Sequence, residues 1–125
     1  MKKLNTYITE KFKIRKSPYK YFPKSKKELQ DILKQLIEER GNEGDFNDID
    51  TSEITDMSGL FKNMKKFNGD ISKWDVSNVT NMRAMFFECE SFNQNISNWN
   101  VSKVKYNKNM FYNIKIKEKY KPKFN

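Results

Sequence analysis

Apolar residues return along this chain with a period of 25. The run Ile49-Asp50-Thr51-Ser52-Glu53-Ile54-Thr55-Asp56-Met57 reappears as Trp74-Asp75-Val76-Ser77-Asn78-Val79-Thr80-Asn81-Met82, and again as Trp99-Asn100-Val101-Ser102-Lys103-Val104. Leu60-Phe61, Met85-Phe86 and Met110-Phe111 keep the same spacing, and Phe67-Asn68-Gly69-Asp70-Ile71-Ser72 is echoed by Phe92-Asn93-Gln94-Asn95-Ile96-Ser97. Gly44-Asp45-Phe46 stands in register with Gly69-Asp70-Ile71. Self-similarity at a fixed period of this length marks a stacked repeat, because one such unit cannot bury its apolar face alone.

Within a unit the pattern predicts a short strand followed by a helix. Ile71-x-x-Trp74-x-Val76 and Ile96-x-x-Trp99-x-Val101 reproduce the apolar heart of a leucine-rich repeat. The alternation of Trp74 and Val76 suits a strand with one buried face, giving strands near 49–52, 74–77 and 99–102. Thr80 can then cap a helical turn in which Met82, Met85, Phe86 and Cys89 share one side. Stacking should align Ile49, Trp74 and Trp99 in one ladder, Thr51, Val76 and Val101 in another, and Phe61, Phe86 and Phe111 in a third. The expected fold class is therefore α/β: a short leucine-rich-repeat-like solenoid of about three 25-residue strand-plus-helix units with an N-terminal capping helix.

That capping helix is read at about 26–40. Ser25-Lys26-Lys27-Glu28 is a capping box, Leu29, Ile32, Leu33, Leu36 and Ile37 form an apolar stripe, and Gly41 suits the position just past the end. The C-terminal unit decays, with Asn107 in place of Met57 and Met82 and Lys117 in place of Phe67 and Phe92. Tyr120, Pro122 and Phe124 are expected to fold back over that end. Leu4, Tyr7 and Ile8 hint at a short helix. The resulting division is a basic N-terminal segment (1–24), a capping helix (25–42), the repeats (43–114) and a basic C-terminal cap or tail (115–125).

Charge changes the picture in one respect. The net charge of +9 belongs to the ends: residues 1–27 carry ten Lys/Arg against Glu10, and residues 103–125 carry eight Lys against Glu118. The middle, 28–102, carries seven Lys/Arg against fourteen Asp/Glu and is acidic. This split weakens a nucleic-acid reading of the overall basic charge. With 22 lysines, three arginines and abundant Asn, the composition looks like the coding bias of an AT-rich genome.

Cys89 is the only cysteine and there is no histidine, which excludes an internal disulfide and a Cys/His zinc site. Cys89 shares its repeat position with Met64 and Ile114, so it reads as a small buried hydrophobe. The first residues are too polar for a signal-peptide core, and neither a lipobox cysteine nor a spanning apolar run is present. The expected location is cytoplasmic by default.

The strings Trp74-Asp75-Val76-Ser77-Asn78-Val79-Thr80-Asn81-Met82, Met85-Phe86 and Phe92-Asn93-Gln94 resemble the repeat of BspA-like leucine-rich-repeat surface proteins. The same repeat marks a domain of unknown function in mycoplasma surface lipoproteins. The resemblance covers roughly residues 43–114 and implies a surface-exposed interaction or adhesion module with no defined ligand. The missing signal peptide and lipobox depart from that surface-anchored pattern.

No catalytic motif is present, and a protein without histidine and with four glycines offers little for acid–base or phosphate chemistry. Asp45, Asp70 and Asn95 could offer oxygens to calcium, but turn-forming Asx residues explain their spacing more simply. The glycosylation sequons at Asn78, Asn95 and Asn100 arise from the repeat itself. No enzyme activity, cofactor or metal is expected. The expectation is a monomeric protein–protein interaction module binding an unknown protein through a concave strand face. Its candidate contact residues are Asp50, Ser52, Lys73, Asp75, Ser77, Asn98, Asn100 and Ser102. The alternative is nucleic-acid or anionic-surface binding by the Lys/aromatic ends, Tyr19-Lys20-Tyr21-Phe22-Pro23-Lys24 and Lys119-Tyr120-Lys121-Pro122-Lys123-Phe124.

Overall fold

The computed structural model describes residues 17–125; the helix expected around Leu4, Tyr7 and Ile8 lies outside them. Helix α1 spans Lys26–Arg40. The Ser25 hydroxyl accepts the Glu28 N–H at 3.2 Å, satisfying one of the donors a helix start leaves open. The Glu28 carboxylate reaches back to the Lys24 N–H at 2.8 Å. Gly41, at φ 83°, ends the helix and sends its N–H to the Ile37 carbonyl. Leu29, Leu33 and Leu36 are buried in the common core.

Beyond α1 the expected strand-plus-helix units are not what the chain builds. Among the described residues there are only isolated parallel bridges, at Tyr21–Ile49, Asp45–Asp70, Asp56–Asn81 and Asn81–Tyr106, and no strand. A single 3-10 turn, Glu118–Tyr120, is the other helical element. The α/β leucine-rich-repeat solenoid is therefore overturned. Each unit is instead a closed circuit of tight turns.

The reason lies in where the backbone N–H groups go. In the segment read as a helix, the N–H groups of Met85, Phe87 and Cys89 bond three residues back, to Met82, Ala84 and Phe86. Those of Met82, Ala84, Phe86 and Glu88 leave the unit and bond Tyr106, Lys108, Met110 and Tyr112 at 2.7–3.0 Å. One unit earlier, Met57, Gly59, Phe61 and Asn63 bond Asn81, Arg83, Met85 and Phe87 in the same way. An α-helix would send every one of these groups beyond its first turn four residues back within the segment. The alternation requires left-handed residues, and they recur in register: Gly59, Ala84 and Asn109, then Asn63, Glu88 and Asn113, all at φ 53–64°. Two such residues four apart end any helix.

The expected strands fail differently. Among the described residues no backbone bond joins 49–52 to 74–77, or 74–77 to 99–102. Turns close at Ile71–Trp74 and Val76–Val79 and again at Ile96–Trp99 and Val101–Val104, so the chain bends before a ladder can form. Thr80 does not cap a helix; its carbonyl accepts Lys105 and Tyr106, and its hydroxyl meets the Thr55 carbonyl.

The side-chain ladders nevertheless stack as spaced. Phe61, Phe86 and Phe111 lie face to face at 5.4 and 5.7 Å between centroids, and Phe67 and Phe92 at 6.2 Å. Phe61 stacks on Phe67, and Phe86 on Phe92. Trp74 and Trp99 donate their indole N–H to the carbonyls of Phe46 and Ile71, one unit back. Burying each such ring is worth about 1.5–3 kcal/mol, and offset pairs add about 0.5–1.5 kcal/mol.

Gly69 is explained by its neighbour in the preceding unit. A Cβ there would sit 2.4 Å from the Phe46 ring and 2.7 Å from that of Phe67. Its counterpart Gln94 faces the unit containing Ile71, the smaller residue at the Phe46 position, and carries a full side chain bonded to Asn68. Gly69→Ala should lower the unfolding free energy by about 1–3 kcal/mol. Combined with Phe46→Ile it should cost less than the two single changes added together. Strict additivity in a denaturant double-mutant cycle would disprove the pairing.

Candidate functional site

Three rows of Asx residues mark the corners of the stack, and most of their caps follow the sequence pattern Asx-x-Ser. Asp50 accepts the Ser52 N–H, Asp75 the Ser77 N–H and hydroxyl, and Asn100 the Ser102 N–H. Asp70 and Asn95 hold Ser72 and Ser97 by both N–H and hydroxyl. Asp45 holds Asn47, Asp56 holds Ser58, and Asn81 holds Arg83. These are the local side-chain-to-backbone bonds that favour turns over ladders.

The eight candidate contact residues fall along this surface. Asp50 and Ser52 are half-buried, as is Ser77, while Lys73, Asp75, Asn98, Asn100 and Ser102 are exposed. The structure brings them together as corner pairs, Asp50 with Ser52, Asp75 with Ser77 and Asn100 with Ser102. Lys73 and Asn98 stand beside the preceding corner, and the Lys73 N–H is held by Asn47 Oδ1. Across units, Thr51 donates to the Asp75 carbonyl, Asn78 to the Ser52 carbonyl, and Lys103 to Asn78. Along the Asp50, Asp75 and Asn100 row, successive units are thus bound by side chains rather than by backbone bridges.

Two of these carboxylates, Asp75 and Asp70, are held toward the charged form. At Asp75 the Ser77 hydroxyl and N–H keep the carboxyl below its ordinary range. At Asp70 burial pulls upward, but the Ser72 N–H and hydroxyl and Asn47 together outweigh it, and the group is again lowered. Among the described residues no group of three or more Cys, Asp or Glu side chains is placed to hold a metal ion. Burial pushes the Cys89 thiol up to about 12, and its Sγ lies 3.2 Å from the Met64 carbonyl. A thiol so held is not an available nucleophile.

Arg40, in the last turn of α1, grips Asp48 through two bonds of 2.8 and 2.9 Å and also donates to the Asp45 carbonyl. That bidentate contact lowers the Asp48 pKa. A lowered carboxyl stabilises the fold above its unfolded pKa and loses that contribution as pH falls through its folded value. Asp48→Asn should therefore cost about 2 kcal/mol near neutrality. The gap to the parent protein should close as pH drops below about 4. Urea midpoints measured across pH test this, and a gap that widens on acidification would contradict it.

The terminal aromatics are largely engaged. Tyr21, Tyr120 and Phe124 pack against the core, and Lys117 and Lys119 place their ammonium groups 5.3 and 5.9 Å from the Tyr120 ring. Phe22, Tyr106 and Tyr112 are the large exposed hydrophobics among the described residues. The tail leaves an open groove of about 640 Å³ against the last unit, with Asn109, Phe111 and Tyr112 on one side and Lys119, Lys123 and Phe124 on the other. The sequence reads this segment as a basic cap or tail and carries no sign of the groove, which exists only once the tail has folded back.

A family model described as a mycoplasma protein of unknown function, DUF285, matches residues 27–123. No curated protein and no solved structure matches the chain. No helix among the described residues is long and apolar enough to cross a membrane.

Proposed function

We propose, from the premise that the chain belongs to this mycoplasma family of unknown function, that it is a non-enzymatic protein-interaction module of the adhesion type. Its partner-facing surface is the row of Asx corners led by Asp50, Asp75 and Asn100. The observation that carries this reading is that each corner is locked by its own side chain. A surface ordered in advance loses little entropy on docking. The resemblance of the repeat to that of BspA-like surface proteins supports the same role. The surface is polar and mildly acidic, so it fits a basic partner bound weakly or through several copies.

Nucleic-acid binding by the ends has less support, because Tyr21, Tyr120 and Phe124 are packed and not free to stack on bases. The raised Cys89 pKa likewise supports the non-catalytic reading.

The test is Asp50→Asn with Asp75→Asn, which removes charge while keeping the turn, since Asn100 caps the equivalent corner. Immobilised parent and variant chains are incubated with the envelope fraction of the source organism. A basic protein retained by the parent and lost from the variant, at equal melting temperature, is the expected result. Equal retention by both, with loss on neutralising Lys119, Lys121 and Lys123, would transfer the function to the tail.

A further inference from the structure

The stack has a direction, and its two ends are chemically unlike. Every unit passes a row of N–H groups to the carbonyls of the next: Met57, Gly59, Phe61 and Asn63 to the second unit, Met82, Ala84, Phe86 and Glu88 to the third. The equivalent groups of the third unit are the N–H groups of Asn107, Asn109, Phe111 and Asn113. None of the four has a backbone acceptor among the described residues. Their neighbours are satisfied, since Met110 and Tyr112 bond three residues back, to Asn107 and Asn109. Asn107, Asn109 and Asn113 are exposed and Phe111 is half-buried. Asn109 and Asn113 hold the same left-handed conformation as their counterparts in the earlier units, so the row is set in its donating geometry.

We propose that this donor edge, with the groove beside it, docks an acidic peptide segment of a partner protein, whose alternate carbonyls accept the four N–H groups. The eight donors of the first two units all end on peptide carbonyls two residues apart, so the complement of this row is already defined within the molecule. Charge selects the partner. Residues 103–125 carry eight lysines. Of these, Lys121 alone has a carboxylate within ion-pair distance among the described residues, that of Glu118. Lys119, Lys121 and Lys123 line the groove itself, against a single carboxylate there, that of Glu118, which Lys121 pairs. Main-chain bonds along an unpartnered edge supply affinity, and side chains supply selectivity, as in strand addition.

A second copy of the chain is a poorer occupant. One carbonyl of its corresponding edge, that of Ser58, already accepts from Lys26 Nζ of α1 at 3.2 Å, and Lys26 also pairs with the Asp56 carboxylate. This surface is separate from the Asp50/Asp75 corners, so either reading can fail without the other.

The experiment uses the full chain, isotope-labelled, and the synthetic peptide Thr-Asp-Met-Glu-Gly-Leu-Phe-Glu-Asn, an acidic form of the repeat segment. Without peptide, the amides of Asn107, Asn109, Phe111 and Asn113 should exchange with solvent freely. Addition should slow their exchange at least tenfold and shift them downfield, leaving the Met110 and Tyr112 amides nearly unmoved. Lys119→Glu with Lys123→Glu should weaken the peptide at least tenfold without changing the free spectrum of the four amides. Three results each overturn the proposal: amides already protected in the free chain, equal shifts from a Lys-for-Glu peptide, or no shift at millimolar acidic peptide. The same pattern produced by oligothymidylate and not by the peptide would also overturn it, and would assign the edge to nucleic acid.

Discussion

Trp74→Ala should destabilise the protein by about 3–5 kcal/mol, enough to remove much of the stability of a small domain. The side chain is 4% exposed and lies against Phe61 at 5.8 Å. Its Nε1–H satisfies the Phe46 carbonyl at 2.9 Å. Alanine leaves both a cavity and a buried carbonyl without its donor, so two penalties add. Lys73→Ala, one residue away, should be nearly neutral, because the exposed side chain makes no bond and the backbone N–H that Asn47 holds is kept. Equal, small changes in the denaturation midpoints of both variants would defeat the stacked-ladder account.

Removing residues 115–125 should cost about 3–5 kcal/mol, the worth of two well-buried apolar side chains. Ile116 and Pro122 are buried, and Tyr120 and Phe124 pack on the core. The Tyr120 carbonyl accepts the N–H of Ile96, which is 0% exposed, and Asn93 Oδ1 accepts that of Lys117. The shortened chain should therefore melt earlier and lose hydrogen-exchange protection at Ile96. An unchanged melting temperature, with Ile96 still protected, would mean that the tail lies on a core complete without it.

The candidate site was partly legible. The Asx row at Asp45, Asp70 and Asn95 reads as turn formers from residue type and spacing, and each does hold the residue two places on. The Asp50, Asp75 and Asn100 row reads as strand, although it carries the same Asx-x-Ser signature as Asp70 and Asn95. There the buried alternation of Trp74 and Val76 outweighed the local cue. Alternation reports only that one face is buried, and a bent corner can bury Trp74 and Val76 as well as a strand can. The donor edge had no sequence signal, because backbone N–H groups carry no residue code.

What the sequence determined by itself is the register. The period of 25, the aromatic ladders, the burial of Cys89 and the capping helix from Lys26 to Arg40 all follow from side-chain size and spacing, which stacking must respect. What only the tertiary structure decided is the backbone state within each unit. Met82, Met85, Phe86 and Cys89 share one side of a helix, but they share one side of a turn circuit equally well. The choice rests on whether alternate N–H groups bond back into their own segment or forward into the next unit. A local segment cannot make that choice alone, because the forward acceptors exist only after the neighbouring unit has docked. The left-handed positions at Gly59, Asn63, Asn109 and Asn113 were the local trace of that decision. With Ala84 and Glu88 at the equivalent positions of the middle unit, that trace was masked until the neighbouring units were stacked around it.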